Sequence, residues 1–461
     1  MTYQEKLFKK ASEEKSFDLK HRNTIKFNIG KYLQSFEKGK KQYKNIEEVK
    51  KLASEVKKDV LLNLDYYLQT FANNFEANGG EVLWAYDVEE ANRLILEILR
   101  REKAELVVKS KSITTEELRL NDLLEKYKYE VFETDLGEFI VQVAGERPYH
   151  IVTPAMHKSK ADVAKLFNEK FNTKPDASPE ELTMFVRKYL RKRFIKADVG
   201  IMGANFILPD IGGISMTENE GNGLLTGAFP RVHIVIAGIE KVLPSVRYLS
   251  VFLPLLATHG TGQYMSVYNT IYTGPKREGE HDGPEKMYVI LLDNGRTELY
   301  AEEETNLALS CIRCGACLNV CPIYQNIGGY TYEVPYTGPI GSVISPYYEG
   351  VKEYKHLSFA CTLCGKCTET CPVKIPLHEL LLLNRKKFVE RVGDSFVWNT
   401  GMKAYEYLME DRKHIDIVNG NVKNFFVQTF GNNALGKEKE PPKFARKSFA
   451  QEYTDKKNKT K

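Results

Sequence analysis

The chain has 461 residues, 42% hydrophobic and 28% charged, which is the balance of a globular protein and excludes a fibrous or largely disordered one. That length suits two or three domains. A net charge of +5 from 66 basic and 61 acidic residues gives no reason to expect nucleic acid as a partner. The first residues, MTYQEKLFKKASEEKSFDLKHR, lack the apolar core of a signal peptide, and no run reaches the roughly 18 apolar residues of a membrane span. The expected location is cytoplasmic, at most peripheral to a membrane complex, with no transmembrane segment.

Residues 1–78 read as a helical lead-in. From Val49 to Leu68 apolar residues recur at three- and four-residue steps with lysines between them, and Asn78-Gly79-Gly80 ends the pattern. Residues 79–300 then alternate short β-branched runs with amphipathic stretches. The expected strands are Val82–Ala85, Leu106–Val108, Glu130–Glu133, Val199–Met202, Ile214–Thr217, Val232–Ala237 and Tyr288–Leu292. The expected helices are Glu89–Arg101, Thr114–Tyr127, Pro179–Ile195 and Ser245–Ala257. Strands separated by helices predict an α/β layered domain with a mainly parallel sheet.

Ligands of such sheets sit where strands turn into helices, whose free amides attract anions. Lys109, Ser110, Lys111 and Ser112 follow a strand and precede a helix, a pattern that suits a small carboxylate or phosphate and equally a basic surface turn with ordinary capping. Glu218, Asn219, Glu220 and Asn222 form a dense polar loop after another strand, able to bind or to do acid/base work, with a plain Asn/Gly turn as the competing reading. Asp135, Asn205 and His233 stand at strand ends or within strands, where each alone reads as structural. No Gly-x-Gly-x-x-Gly or Walker-type run points to a nucleotide.

All eight cysteines fall within residues 301–390, in two runs of the form C-x2-C-x2-C-x3-C-P: Cys311, Cys314, Cys317, Cys321 and Cys361, Cys364, Cys367, Cys371, each followed by proline. This is the bacterial ferredoxin pattern, in which the fourth cysteine serves the other cluster. It predicts two [4Fe–4S] clusters, one on Cys311, Cys314, Cys317 and Cys371, the other on Cys361, Cys364, Cys367 and Cys321. The proline after each fourth cysteine suits a helix start there. Disulfides would require an oxidising compartment, and zinc would favour C-x2-C pairs set further apart. The Gly-, Pro- and Tyr-rich insert from Ile327 to Leu357 is expected as an ordered loop over the clusters or a docking surface. Leu377–Val392 and Val397–Met409 read as helices, the latter within a C-terminal helical segment 391–436. Residues 437–461, with nine Lys/Arg against four Asp/Glu, read as a solvated disordered tail.

VVKSKSITTEE (107–117), ETDLGEFIVQVAGERPYHIV (133–152), GANF (203–206), NEGNG (219–223), VHIVIAGIEKV (232–242), LDNGR (292–296), CIRCGACLNVCP (311–322) and PPKFARKSF (441–449) together resemble the iron–sulfur lactate utilisation protein B family, over nearly the whole chain. The resemblance implies an α/β domain similar to ribose-phosphate isomerases and CoA-transferases, followed by an α-helical two-cluster ferredoxin domain. It further implies an electron-carrying subunit that works with partner proteins in oxidising L-lactate to pyruvate. The eight cysteines match that family's cluster ligands, and no catalytic residue carries over. Two other roles compete: an α/β domain that is itself a hydroxy-acid site feeding the clusters, or a scaffold whose clusters are structural.

Overall fold

Among the described residues of the computed structural model, nine strands, β1 (Glu81–Ala85), β2 (Leu106–Lys109), β3 (Glu130–Glu133), β4 (Val199–Gly203), β5 (Phe206–Leu208), β6 (Gly213–Glu218), β7 (Val232–Gly238), β8 (Tyr268–Tyr272) and β9 (Lys286–Leu292), form two sheets. The structure describes residues 1–150, 152–393, 396–435 and 440–459. The larger sheet has six strands in the order β1-β9-β7-β4-β2-β3, every pair parallel. The α/β layered fold expected from the alternation of strands and helices is what the chain adopts.

Burial explains the composition of the central strands. All seven residues of β7 are buried, and their side chains alternate between faces: Ile234 and Ile236 join a core on one side, Val235 and Ala237 a core on the other. The helix Val88–Arg101 covers the first face through Ala91, Ile95, Ile98 and Leu99, its start capped by Asp87. Leu64–Ala77 covers the second through Phe71 and Phe75. Pro179–Lys196 begins with a Ser178/Glu181 capping box and shares a third core with Val108.

Several elements differ from the sequence expectation. The stretch Thr114–Tyr127 is two helices, Ile113–Glu117 and Leu120–Lys126, because Arg119 at φ +49° breaks the hydrogen-bond ladder. Leu136–Ala144 and Lys160–Phe171 are additional helices, each capped by an Asp or Ser whose side chain competes well for free amides. Strands β5 and β8 were also unforeseen; they pair antiparallel with β6 in a second, three-stranded sheet.

The cysteine runs belong to the same compact unit as the sheet, Met1–Phe388. A single hydrophobic cluster joins Ile25 and Ile29 of the helix Leu19–Gly39, Phe252 and Leu256 of Leu249–Thr261, and the residues around the cysteines. The insert after the first run is not a surface loop. It folds into the helices Gly338–Glu349, Val351–Tyr354 and His356–Phe359, and buries Val343, Ile344, Tyr347 and Tyr348 in that cluster. Its aromatic and β-branched side chains outweigh the turn propensity of its glycines and prolines. Cys321 does open a helix, Pro322–Ile327, with Pro322 at its first turn. Cys371 does not: Lys374 turns at φ +53°, Pro376 disfavours helix in the residue before it, and the next helix begins at Leu377.

The smaller unit, Val389–Lys461, contains Phe396–Glu410, Arg412–Asp416, Gly420–Leu435 and Phe449–Lys459. The last is a helix with no buried residue where a disordered tail was expected; residues 436–439, 460 and 461 of the expected C-terminal segments lie outside the described residues. Among the described residues no helix is long and apolar enough to cross a membrane.

Candidate metal centres and the adjoining cavity

Each cysteine run turns through the same pair of left-handed residues, Arg313 and Gly315 at φ +60° and +78°, Leu363 and Gly365 at +55° and +79°. Successive amides are thereby swung toward one point, a concavity that suits an anion. The Arg313 amide donates to Cys311 Sγ (3.4 Å), the Leu363 amide to Cys361 Sγ (3.3 Å) and the Ile375 amide to Cys371 Sγ (3.4 Å). The short helices Ala316–Asn319 and Lys366–Thr370, which carry Cys317 and Cys367, pack against each other.

That crossing exchanges the fourth cysteines. Cys311, Cys314, Cys317 and Cys371 line one small cavity whose wall also holds Arg313 and apolar residues, Ile340 and Leu377 among them. Cys321 lies within electrostatic reach of Cys361 and Cys364, and so does Cys367. Four soft sulfurs in each group, with no nitrogen or carboxylate among them, fit an iron–sulfur cube. Among the described residues no three His, Cys, Asp or Glu side chains close around a single metal ion. Burial pushes the thiols up, Cys321 and Cys371 to about 11 and Cys367 to about 12, so a bound cluster must displace protons. The groups differ in depth: Cys314, Cys317 and Cys371 are buried, whereas Cys364 is exposed.

A buried ionic network ties the first run to the sheet. Arg313 Nη2 donates to Glu240 Oε1 (3.1 Å), Arg296 Nε to Glu240 Oε2 (2.6 Å), and the Arg296 fork to both oxygens of Glu117 (2.9 Å each). Tyr336 Oη also donates to Glu117 (2.7 Å). The two guanidinium groups lie over the rings of Tyr336 and Tyr348.

A cavity of about 390 Å³ opens at the carboxyl ends of β2 and β4. From β2 the chain runs outward to β3, and from β4 it runs the other way to β7, so this is a point where strand order reverses and ligands commonly bind. It gathers both polar segments singled out from sequence, Ser110, Lys111 and Ser112 with Glu218, Asn219, Glu220 and Asn222, and its wall includes Arg313 and Cys314.

Several of these residues also have structural work. Ser112 caps the helix Ile113–Glu117. Glu218 accepts from the amides of Gly223 and Leu224 (2.7 Å each). Asn219 pairs with Gln263, and Asn222 lies between Thr134 and Glu218. Lys111 donates to the Val152 carbonyl (2.9 Å) and faces Asp135 at 3.8 Å. Partial burial and the Asp135 carboxylate push Glu220 up to about 7.

Lys109 corrects the sequence reading. It is fully buried away from this cavity, 2.7 Å from Glu133, 3.2 Å from Glu116 and 3.9 Å from Glu138, and it donates to Thr115. Burial works against the ammonium, but the three carboxylates outweigh it and raise its pKa. Its ammonium is already taken by Glu133, Glu116 and Thr115 and is not offered to an anion. His233 is likewise structural, buried edge-on against Tyr272 and held neutral by desolvation, with its pKa lowered to about 3.

A LUD domain profile matches residues 68–292 and a 4Fe-4S dicluster domain profile residues 307–375. Lactate utilization protein B of Bacillus velezensis is 46% identical over 363 residues, 78% of this chain and 76% of that one; its counterpart in Bacillus subtilis is 45% identical over 350 residues, 76% and 73%. The chain belongs to the lactate utilization protein B family. That of Anoxybacillus flavithermus is 45% identical over 363 residues, 78% of this chain and 77% of that one. A crystal structure of a DUF162 family protein from Deinococcus radiodurans aligns with 50% of the chain and 98% of its own length at 14% identity, with a TM-score of 0.26.

In this member of the family, two cavity residues, Arg313 and Lys241, were not singled out from the sequence; Asp135 and Asn205, read there as structural, also line the cavity. The signal for Arg313 was a long cation inside an otherwise short-chained cysteine loop.

Proposed function

We propose that the chain carries two [4Fe–4S] clusters, on Cys311, Cys314, Cys317 and Cys371 and on Cys361, Cys364, Cys367 and Cys321, and passes electrons in the oxidation of L-lactate to pyruvate. The exchange of the fourth cysteines across the packed helices carries this reading, and the names of the relatives supply the pathway. Bound clusters would supply one-electron steps. The chain's own residues hold the sulfurs, direct amides at them and keep water from the inner group. We place it in the cytoplasm, at most peripheral to a membrane complex, beside other lactate-utilisation subunits. We divide it into a helical lead-in (1–78), a lactate-utilisation domain (79–300), the cluster domain (301–390), C-terminal helices (391–436) and a basic end (437–461).

Anaerobically purified protein is expected to hold iron and sulfide equivalent to two cubes. Lactate is expected to reduce them when the partner proteins are present, and deletion of the gene to abolish growth on L-lactate but not on pyruvate. Normal growth of the deletion strain on lactate sinks the proposal. A second reading, in which the α/β domain itself takes the hydroxy acid and feeds the clusters, is favoured by the cavity wall that includes Arg313 and Cys314.

A further inference from the structure

We propose that the cavity between the ends of β2 and β4 and the first cysteine run binds a small monocarboxylate anion against Arg313, Lys241 and Ser110. This rests on the second reading above, that the α/β domain takes the organic acid, and adds where and by which groups.

Two donors point to a ligand. Arg313 is 8% exposed, and beyond its contact to Glu240 its Nε and Nη1 have no hydrogen-bond partner. Ser110 is 3% exposed, and its hydroxyl also has none. Both line the cavity, as does the largely buried ammonium of Lys241. Leaving charged donors buried and unmatched is costly, and a carboxylate oxygen would supply a charge-assisted acceptor for a free guanidinium N–H.

Cluster charge alone does not account for this arrangement. It would compensate Arg313 and Lys241, but Ser110 is a neutral group on the β2 side of the cavity and has no need of such compensation. The lining also sets the charge of the guest. Lys111, Lys241 and Arg313 stand with Asp135, Glu218 and Glu220 around one space, which tolerates one added negative charge better than the two of a phosphate. A volume of about 390 Å³ is at the small end for organic ligands.

The test is calorimetric titration of the cluster-loaded protein, under anaerobic conditions, with L-lactate, pyruvate and inorganic phosphate, alongside electron paramagnetic resonance of the reduced clusters. Saturable binding of lactate or pyruvate is expected. Lys241→Gln should weaken it at least about tenfold and Ser110→Ala by a smaller factor, with iron content unchanged, and the ligand should shift the resonance of one cluster. Should Lys241→Gln lose its clusters, Ser110→Ala carries the comparison. Absence of saturation by both carboxylates overturns the proposal, as does unchanged affinity in both variants or phosphate binding as tightly as the carboxylates. Carboxylate binding without lactate-dependent cluster reduction upholds this site and sinks the hydroxy-acid chemistry of the second reading. Reduction through partner proteins with no carboxylate bound does the reverse to this site and leaves electron carriage standing.

Discussion

Glu240→Gln keeps the shape of a side chain that separates two buried guanidinium groups and removes its charge. In the native chain Glu240 takes Arg296 at 2.6 Å and Arg313 at 3.1 Å, and both it and Arg296 have no solvent-exposed side-chain surface. Breaking a buried pair of this kind costs about 3–5 kcal/mol, because the remaining charge stays desolvated. Arg296 retains both oxygens of Glu117, so the lower end, about 3 kcal/mol, applies and falls mainly on Arg313. Against a typical stability of about 5–15 kcal/mol this is a large fraction. Urea unfolding of the loaded protein, followed by circular dichroism and by cluster absorbance, should show the midpoint fall and cluster bleaching move with it. A loss under about 1 kcal/mol would refute the reasoning. Acid gives a second readout. Burial raises the Glu240 carboxyl, but Arg296, Arg313 and Lys241 outweigh it and hold it at about 2, against an ordinary value of 4.5. Its contribution is present above the ordinary value and is lost as pH falls from 4.5 toward 2, so that stretch of the acid profile should flatten in the variant.

Cys371→Ala should damage the cluster of Cys311, Cys314 and Cys317 despite the distance in sequence; electron paramagnetic resonance showing loss confined to the other cluster would overturn the quartets. Gly203→Ala drives a Cβ into Ser112 Oγ, where it disturbs a helix cap and the cavity wall together. The expected loss is about 1–3 kcal/mol by urea unfolding, and an unchanged midpoint would show that Ser112 yields freely. The Glu220 carboxyl is raised from 4.5 to about 7, so the folded chain keeps that proton longer than the unfolded one. The sign is opposite to that for Glu240: its contribution is full below 4.5 and is lost as pH rises toward 7. Glu220→Gln should flatten stability across that window, and an unaltered pH profile would refute the assignment.

Legibility in sequence followed the range of the forces involved. Periodicity is local, and β3 came out at its observed bounds because four alternating residues suffice for one strand edge; β7 was found because burial on both faces leaves an unbroken apolar run. Strands β5 and β8 were missed because each is recognisable chiefly through its partner β6, a non-local pairing. The insert was misread for the same reason: Gly338, Pro339 and Pro346 speak locally for turns, whereas the burial of Val343 and Ile344 depends on neighbours remote in sequence. At the cavity, Ser110 and Lys111 could be marked from a strand end followed by a cap, but their meeting with Glu218 and Glu220 is a fact of sheet order. Lys109 shows the limit most sharply, since nothing local to VVKSKS reveals which lysine Glu133 and Glu138 surround.

Arg313 joins the two halves of the chain's chemistry because one residue meets three demands. Its backbone, at φ +60°, turns the first cysteine loop; its Nη2 binds Glu240; and the residue stands in the cavity wall, with Nε and Nη1 making no hydrogen bond. Replacing Arg313 would disturb all three together and separate none of them. Glu240, Lys241 and Ser110 lie outside the cysteine loop, and each touches fewer of these functions, which is why they discriminate among the readings. The depth of the two cysteine groups supplies a direction as well. Under the proposed function, an electron arriving beside the cavity reaches first the buried group of Cys314, Cys317 and Cys371, and leaves through the group whose Cys364 is open to solvent and to a partner.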